Sequence, residues 1–227
     1  MKSIKNELRF IIALLKSEKS IKQLRRGWQK DYFRRVLGVY LLLDLILAIV
    51  LIIPLGYAFE EYFETYQEFM ESPFEIIMLG VLIVPFIEEL IFRWPLVYNE
   101  SHIKLFLFGV SLLFLLFFWQ VGIILLIATF ILSSMKWDKF KRFKPRELHK
   151  KYIGLLFWLS VIAFGLIHIT NYDFKEIPFY VYPFMVLPQI IGGISLAIIR
   201  IKFGLRYAII QHSLFNLIAF SSEIFFS

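Results

Sequence analysis

Apolar stretches separated by short polar segments dominate the hydropathy pattern of the chain. The stretches are 36–59, 74–98, 105–135, 152–170, 180–199 and 207–226. A helix needs about 20 apolar residues to cross the hydrocarbon core, so each stretch predicts transmembrane helix. The stretch 105–135 exceeds one ordinary span and is predicted to divide at 119–122 into a short antiparallel pair, with one steeply tilted helix as the alternative. The pattern therefore predicts an all-α, polytopic transmembrane helical bundle of about seven spans.

A basic amphipathic segment precedes the first span. Ile4, Leu8, Ile11 and Leu15 recur at helical spacing, while lysines and arginines fall on other faces. We expect a helix that lies on the inner leaflet, where its bases meet anionic lipid; a solvated basic tail is the alternative. The chain is accordingly divided into an N-terminal segment, residues 1–35, and a transmembrane domain, residues 36–227.

Composition and charge predict the location. Hydrophobic residues make up 59% of the 227 residues, which is too apolar for a water-soluble surface. Of the 25 Lys and Arg residues, eleven lie in 1–35 and eight in 136–151, beside the apolar stretches. Such flanks are typically cytoplasmic and contact lipid, so we do not interpret them as a nucleic-acid site. We expect an integral membrane protein, in a bacterial cytoplasmic membrane, with a cytoplasmic N-terminus.

Three charged residues interrupt the apolar stretch 74–98. Glu89 and Arg93 are four residues apart, so on a helix they share a face and can form an ion pair. Glu88 lies about 100° further round and gets no such partner from its own helix. Pro85 removes one backbone hydrogen bond next to the acids and predicts a kink. Charges within a membrane span are costly and are usually retained for a reason, so we expect Glu88 to have a partner on another span.

Two later spans carry histidines. Phe164 and His168 share one helical face, and His212 and Asn216 share another, each pair at a spacing of four residues. Alone, each pair could be a structural hydrogen bonder. Together with Glu88 they supply a carboxylate that can act as general base toward water and donors that can stabilise an oxyanion. This set of groups can hydrolyse an amide within a membrane.

The motifs Glu88-Glu89-x-x-x-Arg93, Phe164-x-x-x-His168 and His212-x-x-x-Asn216 resemble those of the CPBP family. This family comprises CAAX proteases and bacteriocin-processing enzymes and is also called Abi. The resemblance covers about residues 74–226. It implies an intramembrane endopeptidase acting on a membrane-associated peptide or protein. In that reading Glu88 activates water with help from His168, and His212 and Asn216 bind the oxyanion. Glu89 and Arg93 hold the site together.

The resemblance is compatible with a glutamate-type or a metallo-type protease. Glu88, His168 and His212 could ligate a divalent metal such as zinc, as mixed nitrogen and oxygen sites do. The chain lacks the His-Glu-x-x-His motif of zinc proteases and contains no cysteine. The sequence therefore favours a site without a tightly bound metal and leaves the cofactor unassigned.

The sequence leaves two alternatives to a peptidase. A non-catalytic bacteriocin-immunity or scaffold protein of the same fold would keep the polar groups for packing. A transporter would predict internal repeats with paired broken helices, and the sequence shows no repeat. Gly192 and Gly193 form a small face that suggests close helix approach or a substrate path, and Asp44 in the first span is a further polar group without an assigned role.

Overall fold

A computed structural model describes residues 30–63, 72–98, 107–108, 111, 115, 119–134, 145–172, 177–221 and 224. The predicted N-terminal amphipathic helix lies outside these residues. Every regular element among them is helical, which confirms the all-α class. The first helix, α1, runs Lys30–Ala58 and matches the predicted first span, and a short helical turn, Glu60–Phe63, follows it.

The stretch 74–98 forms a continuous series of helical segments with three registers. A turn at Pro73–Glu75 is capped by Ser72, whose hydroxyl accepts from the Glu75 N–H while the Glu75 carboxylate accepts from the Ser72 N–H. A π-helix then runs Ile76–Ile83, and α2 runs Val84–Phe92. A 3-10 turn at Trp94–Leu96 ends the series. The predicted helix is therefore confirmed, but its first half is wound in the wider π register.

The stretch 105–135 reverses direction. Its second half is α3, Trp119–Ser134. The hydroxyls of Ser111 and Thr129 lie 3.1 Å apart. In one continuous helix, 18 residues would separate them by about 27 Å. One continuous tilted helix is therefore excluded, and the predicted reversal is confirmed. The predicted place of the division is wrong, because residues 119–122 lie within α3.

Three helices complete the bundle. They are α4, Pro145–Ile167, which continues as a 3-10 turn at His168–Asn171; α5, Leu187–Lys202; and α6, Leu205–Ala219. Two short turns, Phe179–Val181 and Tyr182–Met185, precede α5 and meet it at a bend of 46°. Gly204, with φ of 113°, makes the tight turn between α5 and α6, since its positive φ is unfavourable for other residues.

The core lies where α4 packs against α5. Phe157 and Val161 of α4 and Ala197 and Ile198 of α5 are all fully buried in one cluster. Small residues allow this approach: a Cβ added at Gly165 would come within 2.3 Å of Ile190 on α5. This contact is the close helix packing that the sequence predicted for the small residues of α5, although it uses a glycine of α4.

Side chains of α4 and α5 also hold the end of α2. Helix ends leave backbone carbonyls without intrahelical partners. Ser160 on α4 donates to the Phe92 carbonyl at 2.6 Å. Arg200 on α5 donates through Nε to the Arg93 carbonyl at 3.0 Å and through Nη2 to the Trp94 carbonyl at 3.3 Å. The helix that carries the acidic motif is therefore fixed against both neighbouring helices.

Two helical stretches are long and apolar enough to cross a membrane, Leu37–Ala58 and Arg146–Asn171, among the residues described. The bent segment Phe179–Lys202 adds a third if it is counted as one span. Helices of this kind support an integral membrane protein. The total of about seven spans and the orientation of the N-terminus stay predictions.

Candidate active site

The carboxylate of Glu88 faces two imidazole rings from other helices. Its Oε1 lies 3.9 Å from Nε2 of His168, which follows α4, and its Oε2 lies 3.6 Å from Nε2 of His212 on α6. Glu88 and His168 are partly exposed, at 17% and 16% of their side-chain surface. The structure therefore brings together three polar residues that the sequence predicted to converge, with one imidazole nitrogen opposite each carboxylate oxygen.

His168 is oriented by the backbone of its own helix. Its Nδ1 lies 2.7 Å from the carbonyl oxygen of Phe164. A carbonyl only accepts, so Nδ1 must carry the proton. In the neutral ring, Nε2 then presents a lone pair toward Glu88. The i, i+4 spacing noted in the sequence thus does more than align two side chains, because it fixes the tautomer of the histidine.

His212 is oriented by Glu89. Its Nδ1 lies 3.2 Å from Oε1 of Glu89, a side chain with no exposed surface. The carboxylate accepts from this N–H, so the second nitrogen, Nε2, faces Glu88. The same Glu89 oxygen is 3.7 Å from Nε of Arg93, which confirms the predicted ion pair. One oxygen of Glu89 therefore both pairs with Arg93 and orients the ring of His212.

Arg93 is held by aromatic rings as well as by charge. Its guanidinium carbon lies 3.9 Å from the centroid of the Phe164 ring, within the range of a cation–π contact. The side chain is fully buried and makes no hydrogen bond to another described residue. A Cβ added at Gly193 would come 3.1 Å from the Phe164 ring and 3.3 Å from Nη2 of Arg93. A side chain at position 193 would therefore crowd both Phe164 and Arg93, and glycine leaves room for their contact.

Asn216 binds a backbone carbonyl that the π register exposes. Its Nδ2 donates to the carbonyl oxygen of Gly80 at 2.8 Å. In this register the N–H of Val84 bonds to Leu79, so the partner for Gly80 would be residue 85. That residue is Pro85, which has no N–H. Asn216 thus satisfies a carbonyl that proline leaves free, and the amide keeps one more N–H.

A cavity of about 550 Å³ adjoins these residues. Its lining includes Glu88, His168, His212 and Asn216. Gly192 also lines it, and a Cβ there would meet no atom within 4 Å. The wall contributed by α1 is largely apolar and consists of Leu47, Ala48, Leu51 and Ile52, together with Asp44. The cavity can therefore hold a chain with apolar groups beside the carboxylate and imidazoles.

Asp44 is the cavity residue to which sequence reasoning gave no role. It is 7% exposed and accepts hydrogen bonds from Ser195 at 2.6 Å and from Gln211 at 3.2 Å. Its charge within the first span was the available signal, since ionisable groups in spans are usually functional. Its partners could not be identified, because they lie more than 150 residues further along the chain.

A known protein family resembles the part of the chain that carries His168, His212 and Asn216. Residues 139–218 match the family model described as type II CAAX prenyl endopeptidase, Rce1-like. This region contains the motifs of His168 and of His212 and Asn216. The predicted resemblance to the CPBP and CAAX protease family is confirmed. No curated protein and no solved structure matches the chain.

The geometry of the carboxylate and the imidazoles also bears on metal binding. Among the described residues, no group of three or more His, Asp and Glu side chains is arranged to hold a metal ion. Glu88, His168 and His212 are close together but do not form such a group as they stand. The choice between a glutamate-type and a metallo-type enzyme stays a prediction.

Proposed function

We propose that the chain is an intramembrane endopeptidase in which Glu88 activates the water that attacks a peptide bond. The observation that carries this proposal is the convergence on one cavity of a carboxylate and two imidazoles from three separate helical segments. Both rings turn Nε2 toward Glu88, and both have Nδ1 occupied by an acceptor. Ion pairs kept only for packing do not require this shared orientation.

The distances suit a water molecule between Glu88 and His168. Their separation of 3.9 Å is too long for a hydrogen bond. A water bonded to both groups would lie about 2.8 Å from each, which a separation near 4 Å permits. Such a water donates one proton to Glu88 and the other to the lone pair of His168. Its own lone pair is then free to attack a carbonyl carbon.

The reaction then needs one proton transfer in each direction. Glu88 takes a proton from the water while the water oxygen bonds to the scissile carbonyl carbon. The carbonyl oxygen then becomes an oxyanion. As the carbon–nitrogen bond breaks, Glu88 returns the proton to the leaving amine. General base and acid catalysis of this kind contributes about 10²–10⁴-fold to a rate.

Asn216 and His212 are proposed to stabilise the oxyanion. The Asn216 amide has two N–H groups, of which Gly80 uses one. The second N–H is available to the oxyanion, and the cavity position of Asn216 is suited to this. Because Nδ1 of His212 already donates to Glu89, its hydrogen bond to the oxyanion would come from Nε2 of the imidazolium form.

The proposed substrate is a peptide or protein segment that reaches the site from the membrane or its cytoplasmic side. The apolar wall of α1 suits a lipid chain or hydrophobic residues. The matched family model concerns prenyl endopeptidases, so prenylated peptides with a C-terminal CAAX sequence are the first candidates. A peptide without a lipid is the second.

The test is cleavage by the purified protein in liposomes. Internally quenched peptides, with and without a farnesyl group, would be incubated with the protein and the products identified by mass spectrometry. We expect cleavage at one defined bond and none with the Glu88→Gln variant. Cleavage of no peptide, or equal cleavage by Glu88→Gln protein of the same purity, would contradict the proposal and favour a scaffold role.

A further inference from the structure

Asp44 presents an oxygen to the cavity that no described residue occupies. Both of its hydrogen bonds, from Ser195 and from Gln211, end on Oδ2. Among the described residues none reaches Oδ1. The side chain is 7% exposed and lines the cavity. The carboxylate is therefore oriented from one side and left with an open acceptor on the other.

Two amide oxygens of the same cavity also lack donors. Gln211 is fully buried, and its Oε1 has no hydrogen-bond partner among the described residues, while its Nε2 is used by Asp44. Oε1 of Gln189 is also buried and has no hydrogen-bond partner among the described residues. Both residues line the cavity. We call Asp44, Gln189 and Gln211 the acceptor cluster. Buried acceptors are rarely left unsatisfied. The two amide oxygens have almost no accessible surface themselves, so they favour a cation in the cavity through their partial negative charge.

The charges around the cavity favour a cationic donor. Asp44 and Glu88 are acidic, and no lysine or arginine is found among the described residues that line the cavity. Arg93 is buried beside Glu89 and stacked on Phe164, outside the lining. A lysine ammonium has three donors and no acceptor, and a guanidinium has five. A buried carboxylate is best paired with such a group.

We infer that the acceptor cluster is a subsite for a lysine or arginine side chain of the substrate, with Asp44 as its specificity-determining residue. The inference rests on the proposed peptidase function, because the subsite shares a cavity with Glu88 and His212. Ser195 and Gln211 orient the carboxylate from α5 and α6, and the basic side chain binds Oδ1. The substrate would then carry one basic residue near its scissile bond.

The test is a positional scan with quenched peptides. Each position around the scissile bond would carry lysine, arginine, glutamine or norleucine in turn, and kcat/KM would be measured for the wild type and for Asp44→Asn. At one position we expect the wild type to prefer lysine or arginine over norleucine by about tenfold or more, as a carboxylate partner provides. In Asp44→Asn this ratio should fall close to one.

Two further variants separate recognition from folding. Gln189→Met removes one acceptor without touching the hydrogen bonds of Asp44 and should lower the same ratio by a smaller factor. Thr129→Val removes a buried hydrogen bond to Ser111, and because neither residue lines the cavity, it should leave the ratio unchanged. An unchanged preference for basic residues in Asp44→Asn would overturn the inference. So would an equal preference for glutamine and lysine, which would indicate a neutral donor.

A binding measurement distinguishes failure of the subsite from failure of the proposed function. Fluorescent lysine and norleucine peptides would be titrated against Glu88→Gln and Glu88→Gln/Asp44→Asn in liposomes. Selective binding of the lysine peptide that needs Asp44, with no cleavage by the wild type, would retain the subsite and reject the peptidase. No selectivity in either binding or cleavage would reject the subsite.

Discussion

Replacing Glu89 by glutamine removes the charge that balances Arg93 while keeping the size of the side chain. Among the described residues Glu89 is the carboxylate within ion-pair distance of Arg93, at 3.7 Å, and both side chains have no exposed surface. The guanidinium would be left buried against the rings of Phe164 and Phe92, without a carboxylate in ion-pair distance among the described residues. Breaking a buried pair by removing one partner typically costs about 3–5 kcal/mol.

The Phe164 ring does not change this cost. A desolvated cation–π contact contributes about 2 kcal/mol, and it is present with or without Glu89, so it does not enter the difference. The glutamine oxygen can still accept from Nδ1 of His212, which retains that hydrogen bond in neutral form. We therefore expect Glu89→Gln to lower the free energy of unfolding by about 3–4 kcal/mol, or more than a hundredfold in the folding equilibrium.

The assay is reversible unfolding in mixed micelles, followed by the fluorescence of the five tryptophans. Glu147→Gln is the matched control. Glu147 pairs with Lys150 at 3.1 Å, but the two side chains are 60% and 59% exposed, so this pair should contribute about 0–1 kcal/mol. A Glu89→Gln protein as stable as Glu147→Gln would refute the argument that the pair compensates a buried charge.

Three further results are expected. The free energy of unfolding of Gly193→Ala should be about 1 kcal/mol or more lower than that of Gly192→Ala. Both variants gain helix propensity, but only the alanine at 193 crowds Arg93 and the Phe164 ring. Equal free energies of unfolding would contradict this. Pro85→Ala should lower kcat roughly tenfold or more without lowering the Tm, since a new N–H competes with Asn216 for the π-helix carbonyl; an unchanged kcat would show that this bond does not position Asn216. Removal of divalent metal by chelator and gel filtration should leave the cleavage rate within about twofold, whereas loss that zinc restores would indicate the metallo-type.

The convergence of the three motifs was predictable from the sequence. Glu88, His168 and His212 stand in apolar surroundings that offer few other partners, so pairing among them follows from the cost of isolated polar groups. The ion pair of Glu89 and Arg93 was predictable for a simpler reason, because four residues make one helical turn. Both predictions depend on local spacing or on scarcity of partners.

The π register could not be predicted from the same stretch. Pro85 indicated a disrupted hydrogen bond, and in an α-helix the free carbonyl would be that of Val81. In the π register the carbonyl without a backbone partner is instead that of Gly80, and Asn216 on α6 donates to it. The register is thus coupled to a residue more than 130 positions away, which no local pattern records.

The tertiary partners of Asp44 were equally hidden. Its hydrogen bonds to Ser195 and Gln211 join the first helix to α5 and α6. Serine and glutamine in apolar helices are common and carry no signal of their own. The stacking of Arg93 on Phe164 is a similar case, since the ring was predicted only to share a face with His168.

The most direct test of the account is the cleavage rate of Glu88→Gln at matched abundance and stability. The variant would be compared with wild type and Glu147→Gln in liposomes, with a peptide that the wild type cleaves and kcat/KM as the readout. Loss of the general base predicts a decrease of about 10²–10⁴-fold or more, with an unfolding free energy close to that of the wild type. A rate within about threefold of the wild type, in protein shown to be folded, would mean that Glu88 does not activate water. The hydrolytic site described here would then be wrong.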